Sequence, residues 1–308
     1  MAFANDFVAS VRASPGVSMA GTWWMYLLAR GSGPGTVGAA NHVDDVIVVC
    51  MPEVIHKPLL KFKLLTLNTH KGFTTLNRRF VLPELRDAVR AIGADIVFLQ
   101  EVLGKHERHS SRLADWPKES QYEFLADSIW SDFAYGRNSV YTRGHHGNAV
   151  LSKFSILRFE NHDVSIRGRE RRGLLHCVMK LPGSEVELHA ICAHLGLIES
   201  HRRLQVERMC ALVNDAVPPS APLFVAGDFN DWRVRANETL ARCAGLKEVF
   251  LVADGRSART FPARWPLLRL DRIYYRNARV VRTELLSTMP WSHLSDHAAL
   301  AAEVEIGG

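Results

Sequence analysis

The sequence predicts an α/β protein of the α+β kind, a four-layer sandwich in which two mixed β-sheets pack face to face and helices cover their outer faces. Short apolar segments of strand length outnumber the segments with helical periodicity. The chain opens in strand–helix–strand order and continues with strands in hairpin order, which excludes a purely parallel sheet. Several of these strands end in a single polar side chain, and no internal repeat is present.

The opening elements follow from local sequence signals. The apolar segment 63–68 predicts a strand that ends at Asn68, and segment 95–101 predicts a second strand. Between them, residues 82–93 carry apolar side chains at helical spacing, with a proline in the first turn and a glycine at the end. This opening therefore predicts one strand–helix–strand unit.

The remaining elements alternate between strand pairs and helices. An amphipathic helix is predicted at 122–130, and strand pairs are predicted at 147–152 with 156–164 and at 173–181 with 185–194. A longer helix at 200–216 is expected to turn Leu204, Met209, Leu212 and Val213 inward. The last third predicts a strand at 222–227, a helix at 238–243 and strands at 270–275, 278–286 and 297–306.

Composition limits the class of protein and its partners. With 308 residues, of which 47% are hydrophobic and 23% charged, the chain can bury a large core. Its formal net charge of +6 favours anionic partners such as nucleic acid, phosphate esters or an anionic membrane surface. A solvated basic face explains the same charge, so composition alone leaves the partner open.

Residues 1–56 differ from the rest of the chain and are predicted to form a poorly ordered N-terminal extension, with Met51 as an alternative start. The longest apolar segment there, 25–29, is too short to span a bilayer, and a run rich in Gly follows it. Residues 57–308 are predicted to form a single catalytic domain. We expect a monomer without a transmembrane segment or a protein partner.

The five cysteines do not form a disulfide or zinc pattern, because their number is odd and no C-x-x-C pair occurs. Cys177 and Cys192 lie within apolar strand patterns and are expected to be buried thiols. This usage predicts a reducing compartment, which is the cytoplasm, with the inner membrane surface as a peripheral location.

Polar side chains at the predicted strand ends point to one pocket. Each alone has an ordinary explanation: an Asx turn at Asp228, strand capping at Asn68, or an Asp271–Arg272 ion pair. Together they predict a cluster rich in carboxylates and histidines at one end of a sheet. Such oxygen ligands suit Mg²⁺ or Mn²⁺ better than zinc, and a histidine paired with a carboxylate can activate water. The residues are Asn68, Gln100, Glu101, His194, Asp228, Asn230, Asp271, Asp296 and His297.

Six short motifs occur in the order seen in the endonuclease/exonuclease/phosphatase superfamily. They are L-N-T-H at 67–70, L-Q-E-V at 99–102, H-L at 194–195, G-D-F-N at 227–230, L-D-R-I at 270–273 and S-D-H at 295–297. The chain resembles this superfamily from residue 62 to 306, and it is similar to a bacterial branch through N-T-H-K-G-F, G-H-H-G-N-A-V-L-S and G-D-F-N-D-W. The resemblance implies a DNase I-like fold and hydrolysis of phosphoesters.

The resemblance also implies roles for single residues. Glu101 would be the principal metal ligand, with Asn68 and Asp296 beside it. Asp271 would accept a hydrogen bond from His297, which would activate or position the attacking water. The resemblance further places Asp228 and Asn230 against the scissile phosphate, and His194 as a donor to a phosphate oxygen or to the leaving group.

Four further residues are candidates for substrate contact. His146 and Asn148 would line the substrate groove, although loop histidines such as His145 and His146 are commonly only exposed. Arg172 would face the site with Glu170, although a charge cluster at a hairpin edge explains the pair as well. Trp232 follows the G-D-F-N motif and is expected to contact the substrate.

The predicted function is hydrolysis of a phosphoester by in-line attack of water, with Mg²⁺ or Mn²⁺ as cofactor. In a phosphodiesterase or nuclease, basic charge together with Trp232, Tyr141 and Trp265 would follow a nucleic-acid backbone. The alternative substrate is a phospholipid or small phosphoester at a membrane surface, with an apolar lip at 265–268 beside Arg264 and Arg269. A non-catalytic binding module on the same fold is a third hypothesis. Specificity is expected in loops 103–121 and 255–268.

Overall fold

The computed structural model describes residues 59–106, 113, 115–166 and 170–307. All of them belong to one compact unit, Pro58–Gly308. The predicted extension at residues 1–56 and the alternative start at Met51 lie outside the described residues. None of the helices in the described part of the chain is both long enough and apolar enough to cross a membrane.

The described residues form twelve strands and five helices. The strands are β1 (Leu60–Asn68), β2 (Ile96–His106), β3 (Asp132–Tyr141), β4 (Gly144–Ser152), β5 (Ile156–Asp163), β6 (Gly173–Lys180), β7 (Glu187–His194), β8 (Leu223–Asp228), β9 (Lys247–Glu248), β10 (Asp271–Arg276), β11 (Arg279–Leu286) and β12 (Ala299–Ile306). The helices are α1 (Leu82–Ile92), α2 (Gln121–Ala126), α3 (Glu199–Ala216), α4 (Ala236–Ala244) and α5 (Val249–Asp254).

The strands form two six-stranded mixed sheets, as the sequence predicts. The first sheet has the order β11-β12-β1-β2-β4-β3, and the second has the order β5-β6-β7-β8-β10-β9. In each sheet one central pair is parallel, β1 with β2 and β7 with β8, and the neighbouring pairs are antiparallel.

Three apolar layers stabilise the sandwich. The inner faces of the two sheets bury one continuous core, which includes Phe62, Phe98, Cys192, Phe224 and Ile273. Helices α1 and α2 cover the outer face of the first sheet, and helices α3 and α4 cover that of the second. Burial of these apolar side chains is the main favourable contribution to folding.

The strand directions place the predicted site residues at one end of both sheets, which we call the site end. Strands β1, β2, β7 and β8 finish there, whereas β4, β6, β10 and β12 begin there, because they run antiparallel to those neighbours. Gly227 makes the approach of β7 and β8 possible. Its φ is +147°, and a Cβ on it would lie 1.9 Å from the carbonyl oxygen of Ala193, so no other residue fits.

Some sequence-based element predictions are wrong. Strand β3 was not predicted, because Gly136 and several polar residues interrupt its apolar pattern. Segments 147–152 and 156–164 do form strands, but they do not pair: β4 pairs with β2 and β3, and β5 pairs with β6 of the other sheet. The second predicted helix is shorter, and Leu204 is 40% exposed rather than inward.

The cysteine prediction is correct for two residues and wrong for two others. Cys177 and Cys192 are buried free thiols, as expected. Cys210 and Cys243, however, form a disulfide, with their Cα atoms 5.8 Å apart. They lie on α3 and α4, which pack side by side on the second sheet, and this proximity cannot be read from a separation of 33 residues.

Candidate active site

The centre of the site is a hydrogen bond between His297 and Asp271. The Nδ1 atom of His297 lies 2.9 Å from Oδ2 of Asp271, and both side chains are buried. The two residues come from the connection before β12 and from the start of β10, so the bond joins the first sheet to the second. Such a carboxylate fixes the orientation and tautomer of the imidazole.

The side chain of Asp228 lies between the histidines and receives donors from both sheets. Its Oδ2 atom accepts a hydrogen bond of 3.1 Å from the Asn68 amide and lies 3.6 Å from Nε2 of His194 and 3.9 Å from Nε2 of His297. Its Oδ1 accepts from the backbone N–H of Asn230, which has a φ of +51°. The structure thus brings these five predicted residues together.

Burial and neighbouring charge change the pKa values of these groups. Burial opposes protonation of His297, but the carboxylates of Asp271 and Asp228 outweigh it and raise the pKa of His297 to about 10. Burial raises the pKa of Asp228 to about 6, against the opposing effect of His297. Burial and the nearby Arg172 hold the pKa of His194 well below 6.5, so this ring is neutral.

Glu101 lies on an irregular part of β2. The register with β4 shifts between Leu99 and Val102, and Glu101 has a φ of +55°. A bulge of this kind redirects a side chain at a site. Burial opposes ionisation of Glu101, but the charged ammonium of Lys71 and other nearby basic groups lower its pKa to about 2. Its carboxylate is therefore ionised over the whole physiological range.

Two basic residues beside the carboxylates of Glu101 and Asp296 were not identified as site residues from the sequence. The Nζ atom of Lys71 lies 3.4 Å from Oε2 of Glu101, and Nε2 of His70 lies 3.8 Å from Oδ2 of Asp296. Both follow Asn68 in the N-T-H-K-G-F segment, whose match to the bacterial branch was the available signal. The ammonium of Lys71 therefore forms an ion pair with the Glu101 carboxylate.

Among the described residues, one set of side chains has the geometry to hold a metal ion. Ligand atoms of Asp228, Asp271 and His297 all lie within 4.8 Å of one another, and Oδ1 of Asp271 is buried without a hydrogen-bond partner. The metal site predicted from the sequence is a different set, Glu101 with Asn68 and Asp296, and it stays a prediction. Its oxygen atoms, with one carboxylate held ionised, are of the kind that Mg²⁺ and Mn²⁺ prefer.

Hydroxyl side chains hold the catalytic segments in place. Ser295 Oγ donates to the carbonyl of Asn68 at 2.6 Å and accepts from the backbone N–H of His297 at 3.2 Å. Thr260 Oγ1 accepts from the backbone N–H of Asp271 at 3.2 Å. These contacts explain how residues on separate connections keep a common geometry.

Neither the Asp271–Arg272 ion pair nor simple strand capping by Asn68 explains the contacts of these side chains. The side chain of Asp271 contacts His297, whereas the guanidinium of Arg272 donates to the carbonyls of Asp271 and Asp231 and is fully buried. The amide of Asn68 bonds Asp228 of the other sheet, so it does more than cap its own strand.

The predicted substrate contact of Asn148 disagrees with the structure. Its side chain is fully buried and donates to the carbonyls of Gly173 and Cys192, so it joins the two sheets instead of lining a groove. The reason is that β4 lies inside the first sheet, between β2 and β3, and its inward side chains face the other sheet.

The other three predicted contact residues lie at the site end. His146 is partly buried, and burial together with Lys71 lowers its pKa to about 4. The guanidinium of Arg172 donates to the carbonyl of Leu195 at 3.0 Å and to Glu170 at 2.7 Å, so the charge pair exists and lies next to the His194 segment. Trp232 is 47% exposed.

The sequence of the chain matches a known protein family. The model of the Endonuclease/Exonuclease/phosphatase family matches residues 40–297. The uncharacterized protein YbhP of Escherichia coli K12 is 56% identical over 245 residues, which cover 80% of this chain and 96% of that protein. A relative of the same description from Shigella flexneri has the same identity and coverage.

Solved structures share the fold at low sequence identity. The endonuclease/exonuclease/phosphatase from Beutenbergia cavernae has a TM-score of 0.63 at 18% identity, covering 80% of this chain and 72% of its own. D. rerio TDP2 complexed with single-strand DNA product has a TM-score of 0.59 at 18% identity, covering 79% of this chain and 98% of its own. These likenesses confirm the predicted DNase I-like sandwich of two sheets.

Proposed function

The chain belongs to the endonuclease/exonuclease/phosphatase family, and we propose that it is a divalent-metal-dependent phosphodiesterase that hydrolyses its substrate by in-line attack of water. The observation that carries this proposal is the buried series Asp271–His297–Asp228, with separations of 2.9 and 3.9 Å, beside the ionised Glu101. A histidine held by one carboxylate and facing another is suited to moving a proton.

In this proposal Glu101, Asn68 and Asp296 hold Mg²⁺ or Mn²⁺. The bound cation would neutralise the negative charge that develops on the phosphoryl oxygens. Lys71 lies 3.4 Å from Glu101 and adds positive charge at the same edge. Asn68 also bonds Asp228, so one side chain links the cation ligands to the proton-handling residues.

The protein's own groups handle the proton of the attacking water. Asp271 holds Nδ1 of His297 and leaves Nε2 facing Asp228. Because its raised pKa of about 10 keeps His297 protonated, the proton that water loses passes to the Asp228 carboxylate that the ring faces. The members of the Asp228–His297–Asp271 series are at most 8% exposed, so bulk water does not compete for this proton.

Neighbouring groups bind and orient the phosphate. His194 is neutral and its Nε2 lies 3.6 Å from Asp228, so its ring is positioned as a donor to a phosphoryl oxygen or to the leaving group. Asn230 is fixed by its bond of 2.9 Å to the carbonyl of Leu195. Arg172, which contacts the same carbonyl, supplies positive charge for the substrate anion.

The proposed diester substrates include nucleic acids, and exposed Trp232 would stack on a base. One structural neighbour was solved with a single-strand DNA product, which supports testing this class. A non-catalytic binding module is disfavoured because Asp228, Asp271 and His297 form a buried cluster suited to proton transfer.

A hydrolysis panel tests the proposal. Wild type, His297→Ala and Glu101→Gln are assayed with Mg²⁺ or Mn²⁺ on bis-p-nitrophenyl phosphate, plasmid DNA, RNA oligomers, inositol phosphates and mixed phospholipid vesicles. We expect turnover that EDTA abolishes and that falls roughly 10²- to 10⁴-fold in His297→Ala. His293→Ala is the matched control, because His293 is exposed on the same connection. Equal turnover in His297→Ala and His293→Ala would refute the assigned site.

A further inference from the structure

The most exposed large hydrophobic side chains of the described residues gather at the site end. Seven such side chains are between 61 and 73% exposed. One of them, Leu59, precedes β1 at the opposite end of the sheets. The other six lie on connections or on a hairpin tip at the site end: Leu76, Val140, Leu197, Trp265, Leu267 and Met289.

An apolar lip, residues Trp265–Leu268, is fixed next to the catalytic residues. The backbone N–H of Ala263 donates to the carbonyl of Asp296 at 2.8 Å, and that of Leu267 donates to the carbonyl of Phe261 at 2.8 Å. The ring of Phe261 lies 5.0 Å from the ring of His297. The exposed lip therefore borders the site, and hydrogen bonds hold it there.

Positive charge is concentrated at the same end. In the described residues of the connections there, thirteen Lys or Arg accompany five Asp or Glu, whereas the whole chain has 38 and 32. These connections are 69–81, 113–120, 142–143, 164–172, 195–198, 229–235, 255–270 and 287–298. Arg264, next to Trp265 in the lip, is itself exposed. This surplus of positive charge favours an anionic partner.

The chemistry of the exposed side chains distinguishes between anionic partners. Five of the six are aliphatic or thioether side chains, and only Trp265 is aromatic. Nucleic-acid bases stack on aromatic rings, and a phosphodiester backbone offers nothing to an aliphatic side chain. Aliphatic groups gain free energy when they leave water for hydrocarbon, and a tryptophan beside an arginine suits the boundary between headgroups and acyl chains.

We infer that the site end is a docking surface for an anionic lipid bilayer and that a lipid presents the phosphoester to the site. The apolar rim enters the headgroup layer, while the arginines contact anionic headgroups. The inference of docking depends only on the exposed apolar side chains and the basic residues of the site end. The inference that a lipid carries the substrate phosphoester rests on the proposed hydrolase function.

Vesicle sedimentation of the full chain tests the docking. We expect binding to vesicles that contain phosphatidylglycerol, weaker binding in high salt, and weak binding to pure phosphatidylcholine. The double variant Leu267→Ser/Met289→Ser should lower the partition coefficient at least about tenfold, because two buried apolar side chains are lost. The control is Leu157→Ser/Phe159→Ser on β5, which removes two exposed apolar side chains outside the site end and should bind as wild type.

Each outcome either supports or overturns the inference. Absence of vesicle binding, or equal loss in both double variants, overturns it. Binding of single-stranded DNA that depends on Leu267 and Met289, without vesicle binding, makes the surface a nucleic-acid interface instead. Hydrolysis of bis-p-nitrophenyl phosphate separates the two proposals. Docking without hydrolysis refutes the hydrolase function together with the lipid-borne substrate and leaves the docking surface, whereas hydrolysis without docking refutes only the membrane surface.

Discussion

Asn68 at the end of β1 donates a hydrogen bond of 3.1 Å to Asp228 at the end of β8, and this bond joins the two sheets inside the site. Its carbonyl also accepts from Ser295, just before His297. Asn68 thus links its own strand to two other segments of the site, one that ends at Asp228 and one that precedes His297, although the three lie far apart in sequence.

Asn68→Ala is expected to lower both activity and stability. The variant removes a proposed cation ligand and leaves the buried Asp228 carboxylate without one donor. We expect kcat/KM on bis-p-nitrophenyl phosphate to fall roughly 10- to 100-fold and the free energy of unfolding to fall by about 1–3 kcal/mol. Asn161→Ala, which loses an amide bond to Asn138 outside the site, is the control. Unchanged kinetics in Asn68→Ala would contradict this assignment.

Asp271→Asn is expected to lower kcat much more than stability. The amide keeps the shape of the side chain but no longer supplies the charge that holds Nδ1 of His297 protonated. We expect kcat to fall roughly 10²- to 10⁴-fold. Steady-state kinetics and a thermal melt of the same preparation measure both effects. A kcat within a factor of two of wild type would show that His297 acts without its partner.

The disulfide is expected to form under oxidising conditions and to stabilise the second sheet with its helices. Cys210→Ser/Cys243→Ser should lower the free energy of unfolding by about 2–4 kcal/mol, because the bond closes a loop of 33 residues. Intact mass under non-reducing conditions detects the bond, and urea unfolding with and without a reductant measures its effect. The matched control is Cys177→Ser, which changes a buried free thiol. Insensitivity of wild type to the reductant would contradict the pairing.

Stability should decrease below pH 6.5 because of a buried histidine pair on the second sheet. His176 Nε2 lies 2.9 Å from His189 Nδ1. Burial lowers the pKa of His176 to about 4, and burial also lowers the pKa of His189. Between about pH 6.5 and 4 these two histidines therefore bind more protons in the unfolded chain than in the folded one, and their contribution to stability falls as pH falls.

The size of this effect can be isolated with a variant. Replacement His176→Phe should flatten the dependence of unfolding free energy on pH in that window by about 1–3 kcal/mol. His201→Gln on α3 serves as the control, since His201 lies on a different element. Chemical denaturation at several pH values measures the slope. A slope identical in wild type and His176→Phe would mean that other groups cause the acid sensitivity.

The sequence predicted the architecture where local signals were strong. Apolar strands that end in polar side chains marked the site end, and Pro83 and Gly93 marked helix α1, whose C-terminal Gly93 adopts a left-handed conformation. The hydrogen bond between Asp271 and His297 has the geometry that the resemblance implied. These features depend on residue type and spacing, which a sequence shows directly.

Other features depend on packing between distant segments. Nothing local shows that α3 and α4 are adjacent, so the Cys210–Cys243 bond was missed. The side chain of Asn148 was expected in a groove, but the neighbouring sheet covers it. Lys71 reaches Glu101 only because the chain after β1 turns through two residues of positive φ, His70 and Lys71.

The pairing of β1 with β12 has a consequence during synthesis. Leu60 pairs with Ile306, so β1 is synthesised long before its partner β12, and the first sheet cannot close until β12 has been made. A ribosome-bound chain that stops before residue 296 holds Glu101, Asn68 and Asp228 but lacks Asp296 and His297. Closure of such long-range pairs is slow, and here it follows the synthesis of β12. The proposed site is therefore assembled only after the segment around residue 296 has been translated.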